Sequence, residues 1–203
     1  MNLLLNDATY VLDEALTKFP KIHDLEAELR LPNTLTAEER TAKEEELATA
    51  ESQAQSYMQL TNETVSMMKL FTKTLSASFT MPEIVERVAA MVDYTLDTIT
   101  GPRSLNLKVD DPKKYQFDAK TLLSEFIEIY LNLGVSESFV EAVAGDGRSY
   151  KPENFDRASH ILRRFNLRSA EDIEAWEKLK GRFKTAKELE DQNEEDLGDI
   201  PDE

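Results

Sequence analysis

From Thr36 to Thr80 the chain runs for 45 residues without a glycine or a proline. Through that run Leu47, Ala50, Ala54, Tyr57, Met58, Val65, Met68, Phe71, Leu75 and Phe79 recur at three- and four-residue intervals. Such spacing puts them on one face of an α-helix and fits no strand. Thr36 followed by Glu39 is a capping-box start, so the segment predicts one helix roughly 60 Å long at 1.5 Å per residue. Its first half, Glu38 to Glu51, is mostly polar and is expected to project from the body. The later half carries a Met and Phe stripe and is expected to be buried, with a kink near Thr61-Asn62 where the stripe thins.

The rest of the chain points the same way. Six glycines and seven prolines in 203 residues leave few sites for tight hairpins, which argues against a sandwich or barrel. The predicted class is all-α, a single domain or one arm of a larger helical array. Leu4 to Phe19 forms a first helix with no clear cap before it, which suggests a chain cut from something longer; Pro20 is expected to end it. Ile22 to Leu29 then makes a short second helix before Pro32. Pro82 opens a helix through Ile99 that faces inward with Ile84, Val88, Met91, Val92, Thr95 and Ile99, and Gly101-Pro102 stops it.

Residues 101–117 show no helical period, and Leu105, Leu107, Val109, Tyr115 and Phe117 are expected to pin this long loop down. Asp118 caps the most apolar helix, in which the polar residues Thr121, Glu125, Glu128 and Asn132 form one narrow stripe. A helix apolar on most sides must be wrapped, so this one is the predicted centre of the fold. Ser136 to Ala144 is a short helix, Gly145 to Tyr150 a turn, and Pro152 to Phe165 a helix burying Phe155, Ala158, Ile161, Leu162 and Phe165. Ser169, with Asp172 three residues on, caps a last helix bearing Ile173, Trp176, Leu179, Phe183 and Ala186. The helical body is thus expected over 1–187, followed by an acidic linker over 188–203 without a periodic face.

Net charge is −16, and 188–203 alone holds nine acids and no Lys or Arg. Lys151 to Lys187 is locally basic, with ten basic and six acidic residues. A nucleic-acid binder needs the positive field to dominate, and here it does not. The absence of cysteine excludes disulfides, thiolate metal sites and any thioester intermediate on these residues. It also fits a reducing compartment, cytoplasm or nucleus. Leu3 to Leu5 have no basic flank, so no signal peptide is predicted, and the Asn62-Glu63-Thr64 sequon is then incidental. The longest apolar run elsewhere, Val88 to Val92, is too short to span a bilayer.

No catalytic, cofactor-binding or metal-ligating residue is assigned. His23 and His160 lie on different helices without a partner motif; His23 is expected on a solvated face and His160 beside the Phe155 to Phe165 stripe. Gly145-Asp146-Gly147 lacks the strand, third glycine and lysine of a phosphate loop. It is read as a structural turn in which the glycines permit positive φ, Asp146 bonds backbone amides and Arg148 pairs locally. No serine sits in a nucleophile elbow. The acids are spread over helix surfaces rather than paired in a pocket. Arg157, Arg163, Arg164 and Arg168 form a basic cluster that could dock an acidic partner or be neutralised by the acidic tail.

Four stretches resemble one family, the U-box-type ubiquitin conjugation factors that act as multiubiquitin chain elongation factors in the ubiquitin fusion degradation pathway. They are LLLNDATYVLDEAL (Leu3 to Leu16), MPEIVERVAAMVDYTLDTITGP (Met81 to Pro102), LNLKVDDPKKYQFDAKTLLSEFIEIYLNL (Leu105 to Leu133) and VAGDGRSYKPENFDRA (Val143 to Ala158). The closing GDIPDE, Gly198 to Glu203, is similar to the run that leads into the U-box. The resemblance implies an armadillo-like array, the part of the core just before the U-box. It also implies a non-catalytic scaffold role in extending polyubiquitin on substrates bound for the proteasome. The implied partners are a ubiquitin-conjugating enzyme through a U-box expected beyond Glu203, an AAA segregase of the valosin-containing-protein type, and ubiquitinated substrates. No nucleic acid, membrane or cofactor is implied, and a monomer is expected. The alternatives are a stand-alone helical adaptor binding peptides in a groove and nucleic-acid binding through the arginine cluster.

Overall fold

A computed structural model describes residues 1–198, and among these no residue forms a strand. Eight α-helices appear: α1 (Asn2–Arg30), α2 (Ala37–Thr74), α3 (Ser76–Phe79), α4 (Val85–Thr100), α5 (Ala119–Leu133), α6 (Glu137–Ala144), α7 (Pro152–Arg164) and α8 (Ala170–Gly198). The chain is all-α, as its periodicity predicts.

The expected pair of short N-terminal helices is one helix. Pro20 lies inside α1, which continues unbroken to Arg30. The apolar stripe explains why the proline is tolerated: Leu12, Ala15, Leu16, Phe19, Ile22 and Leu25 are all buried and cross the proline without a phase change. A break at Pro20 would swing Ile22 and Leu25 out of the core, which outweighs the one missing hydrogen bond.

The long helix is shorter at its end than the sequence predicts, since α2 stops at Thr74 and the single turn of α3 follows. Both halves of the Thr36–Glu39 capping box are formed. The polar first half does not project. α2 folds back antiparallel along α1, with Ala50 buried, Leu47 half-buried, and ion pairs Lys43–Glu28 (2.5 Å) and Lys21–Glu46 (3.2 Å) across the seam. A stripe of small residues and bridging charges suffices when the facing surface is another helix rather than a thick core. No break marks Thr61-Asn62 either. Thr61 is fully buried in the stripe, where its hydroxyl donates to the Val11 carbonyl at 3.4 Å, and Asn62 donates to the Gln116 carbonyl at 3.0 Å.

Residues 101–117 contain two 3-10 turns, Pro102–Leu107 and Pro112–Tyr115. Leu107, Tyr115 and Phe117 anchor the segment, with Phe117 stacked on Phe19 at 4.3 Å, while Val109 is half-buried. Leu105 is not an anchor; it is 62% exposed. Polar ties hold the rest: Arg30 to Asp110, Glu26 to the Asp110 amide, and Lys114 to Glu51.

α5 is the centre, packed against α2, α3, α4, α7 and α8. Its narrow polar stripe is also engaged: Glu125 pairs with Lys69, Glu128 with Arg168, and the Asn132 amide donates to the Lys69 carbonyl and the Thr72 hydroxyl. α8 runs past residue 188 to Gly198, where the acidic stretch was expected to lose its helical character. That stretch contains strong helix formers and no proline before Gly198, and Lys187 ties its start to Glu190 and Asp191. Residues 199–203, most of the GDIPDE run, lie outside the described residues.

Gly134, which ends α5, is small because α8 approaches it. A Cβ there would lie 2.7 and 2.8 Å from the two Leu179 methyls. Gly134→Ala is expected to destabilise the chain by about 1–3 kcal/mol through overpacking. Gly147→Ala, whose Cβ would meet nothing within 4 Å, should stay within about 0.5 kcal/mol of the parent. Urea unfolding of the two variants checks the contrast.

Candidate functional site

Chemistry-bearing residues concentrate where α4, α5, α7 and the Gly145–Tyr150 turn meet. At the bottom lies Tyr130 of α5, fully buried, its ring against Phe139, Phe155, Trp176 and Phe183 at 5.4–6.1 Å. Its hydroxyl donates to Asp93 Oδ1 of α4 at 2.6 Å. Burial raises the Tyr130 pKa well above its ordinary value, and the Asp93 carboxyl adds to the effect. One turn along α4, Asp97 accepts from Lys151 Nζ and Asn154 Nδ2, each at 2.8 Å, which locks the start of α7. On the far side of the aromatic cluster Trp176 Nε1 donates to Ser159 Oγ at 3.1 Å, tying α8 to α7. Each of these polar groups sits at a junction between helices.

The turn behaves only in part as the sequence implies. Asp146 Oδ1 accepts from the Arg148 amide at 3.3 Å, and Tyr150 N donates to the Asp146 carbonyl at 2.9 Å. Neither glycine uses positive φ. Gly145 is instead confined by neighbours, since a Cβ would lie 3.1 Å from the Glu141 carbonyl and 3.2 Å from Glu190 Oε1. Burial pushes the Tyr150 hydroxyl up to about 12. Two open grooves flank the turn. One, of about 550 Å³, runs between α1 and α4 with Tyr10, Arg87, Met91, Tyr94 and Arg148 on its walls. The other, of about 750 Å³, lies between α4 and α6 beside Gly145 and Arg148.

The histidines stay apart. His23 is half-buried rather than solvated, with Nδ1 donating to the Lys108 carbonyl at 2.5 Å, so it tethers the long loop to α1. His160 is exposed on α7. The arginine cluster is divided by structure. Arg163 pairs with Glu177 at 3.0 Å, and Arg168 bridges Glu128 and Asp172 at 3.4 and 3.0 Å. Arg157 reaches Asn154, and Arg164 lies over the Phe165 ring. Among the described residues the neutralising acids are Glu128 of α5 and Asp172 and Glu177 of α8. Phe165, expected in the core, is 42% exposed and is covered by Lys120 at 3.7 Å from the ring centre. Sequence reasoning missed Asp93 and Asp97, because an acid inside an apolar helical stripe carries no signal of its buried partners.

The family model described as ubiquitin elongating factor core matches residues 1–184. The chain belongs to that family. It is 49% identical over 202 residues to ubiquitin conjugation factor E4 of Schizosaccharomyces pombe, covering 98% of this chain and 20% of that protein. E4 ubiquitin-protein ligase UFD2 of Saccharomyces cerevisiae is 35% identical over 207 residues, 98% of this chain and 21% of its own length. A probable ubiquitin conjugation factor E4 of Arabidopsis thaliana is 36% identical over 211 residues, covering 100% and 20%. The chain therefore spans about a fifth of the length of the curated relatives it matches. The four motif stretches that resemble ubiquitin chain elongation factors all fall within the matched elongating factor core.

The arginine cluster yields a measurable contrast. Arg168→Ala removes a half-buried double bridge and is expected to lower stability by about 1 kcal/mol, more than Arg157→Ala or Arg164→Ala, each within about 0.5 kcal/mol. Thermal unfolding of the three variants in low and high salt reads the difference.

Proposed function

We propose that this chain is a scaffold segment of a U-box ubiquitin ligase that elongates polyubiquitin on already ubiquitinated substrates destined for the proteasome. Membership of the ubiquitin elongating factor core family over residues 1–184 carries this reading. The relatives' names, ubiquitin conjugation factor E4 and E4 ubiquitin-protein ligase, supply the activity class. In this reading the segment itself makes no bonds. Its buried polar groups, Asp93 with Tyr130, Asp97 with Lys151 and Asn154, and Ser159 with Trp176, join one helix to another. Several of its lysines and arginines are engaged in ion pairs between helices that hold shape.

The activity of the whole protein then depends on a U-box that recruits the charged conjugating enzyme, while the helical array sets the distance between that enzyme and the growing chain. An AAA segregase and ubiquitinated substrates would dock on the array, in the cytoplasm and nucleus. α8 supports the geometry. It is an unbroken helix from Ala170 to Gly198 and so carries the chain in one direction through residues 188–198.

The test is a reconstituted assay with ubiquitin, activating and conjugating enzymes and a mono-ubiquitinated substrate. The 203-residue chain alone is expected to give no chain growth, and the same chain fused ahead of a U-box is expected to elongate. Elongation by the unfused chain would place bond-making on these residues and overturn the reading.

A further inference from the structure

Asp93 is 1% exposed, yet its second carboxyl oxygen has no protein donor. The same holds for Oδ2 of Asp146, an atom that is buried although the turn carrying it is at the surface. The two carboxyls are within hydrogen-bonding reach of each other. Two ionised carboxylates side by side are disfavoured in such a site, since Asp93 is out of water, the Oδ2 atom of Asp146 is buried, and each charge repels the other. A proton between them satisfies both orphaned oxygens at once.

We propose that Asp93 and Asp146 share one proton, and that this proton latches the Gly145–Tyr150 turn, the wall between the two grooves, onto α4. The shared arrangement runs Tyr130 Oη–H to Asp93 Oδ1, then Asp93 Oδ2–H to Asp146 Oδ2, and Asp146 Oδ1 accepts the Arg148 amide. It thus links the core of the fold to the backbone of the turn in one line.

The surroundings favour the protonated form. From α5 the only titratable group facing Asp93 is Tyr130, a neutral donor, and from the turn come Asp146 and Tyr150. α6, which packs on α4, turns Phe139, Val140 and Val143 inward and has Glu141 on the groove wall. α7 directs Lys151 and Asn154 to Asp97 instead, and the 102–107 turn sends Arg103 there too. α1 gives Asp13 to Tyr94. Lys187 of α8 acts on Tyr150, not on Asp93. Burial, and after it the Asp146 charge, raises the Asp93 pKa well above its ordinary 3.8, while the Tyr130 bond works against the shift.

The sign of the pH dependence follows. An acid whose pKa is raised in the closed form binds its proton more tightly there than when the turn is open. The latch is at full strength below the ordinary carboxylate range and weakens as pH rises toward the closed-form value. This is opposite to the usual acid lability of paired carboxylates. Weakening is limited to about tenfold in the closing equilibrium per pH unit, the value for one proton.

Two measurements on the folded chain between pH 5 and 8 decide the matter. Carboxyl carbon NMR should show Asp93 at its protonated shift at pH 5. Hydrogen exchange of the 145–150 amides, corrected for intrinsic rate, should lose protection as pH rises. Asp93→Asn supplies a permanent donor in the same shape: its amide can donate to Asp146 while its carbonyl still accepts from Tyr130. In that variant the turn should stay protected, with the pH slope gone. An ionised Asp93 at pH 5, or an unchanged slope in Asp93→Asn, overturns the proposal. If Asp93→Asn fails to fold, Asp146→Asn gives a second route. Its amide can donate to an ionised Asp93, but Asp93 stays buried, so the slope should be shallower than in the parent, and a slope as steep as the parent's overturns the proposal.

Discussion

The hydroxyl of Tyr130 must find a partner where no water reaches, and that requirement organises the C-terminal two-thirds of the molecule. A buried tyrosine contributes a large apolar ring and a polar tip, and the tip is costly if left unpaired. α5 can be wrapped by α6, α7 and α8 through the ring's contacts with Phe139, Phe155, Trp176 and Phe183. That wrapping holds only if something on the fourth side accepts the hydroxyl. Asp93 on α4 does so, which fixes the rotation of α4 about its own axis and places Asp97, one turn on, over the start of α7. The register of four helices thus follows from one buried donor.

The N-terminal hairpin obeys a different constraint. α1 and α2 have modest apolar stripes, and each alone would be marginal in water. They are stable as a pair because the stripe from Leu5 to Leu25 on α1 meets the stripe from Leu47 to Met68 on α2, with Pro20 accommodated and Thr61 filling an apolar position through its methyl group while its hydroxyl bonds across the seam. The segment 101–117 acts as a clasp on this hairpin. Phe117 stacks on Phe19 of α1, Asn62 of α2 bonds the Gln116 carbonyl, and His23 bonds the Lys108 carbonyl. A loop of this length holds one shape because its backbone carbonyls find side-chain donors on two helices.

Much of this was legible in the sequence, and the failures have physical causes. Periodicity located α2, α4, α5, α7 and α8, and the narrow polar stripe of α5 identified the central helix, because both signals depend only on which face is buried. Pro20 misled because a local rule was set against a stripe that continues through it, and tertiary packing won. The projecting arm misled because polarity was read as exposure, whereas charges at Lys21, Glu28, Lys43 and Glu46 close a helix-to-helix seam. Leu105 was assigned to the core by residue type alone, and Phe165 by its place on the α7 stripe, although α7 ends at Arg164 and leaves Phe165 as its cap. Asp93 and Asp146 were invisible as a pair, since residues 53 apart give no sign of contact unless the turn between α6 and α7 is known to fold back on α4.

Charge adds a last step. The chain has 40 acids against 24 lysines and arginines, yet several of its cations are used between elements: Lys43 and Lys21 on α1–α2, Lys69 on α2–α5, Arg168 on α5–α8, Arg163 and Lys180 on α7–α8, and Arg182 on α6–α8. Such pairs are individually weak and screened by salt, but they draw positive charge into the seams and leave the acid excess on the outer faces. A surface of that sign repels phosphate backbones and speeds encounter with basic partners. The same bias sets Arg87 and Arg148 apart. Arg87 bonds the amide oxygens of Asn2 and Asn6, not a carboxylate, and both arginines line the groove between α1 and α4. The same groove carries Asp13 and Asp146, so within an acidic molecule it is a place where the two signs balance, held from below by the turn that Asp146 anchors.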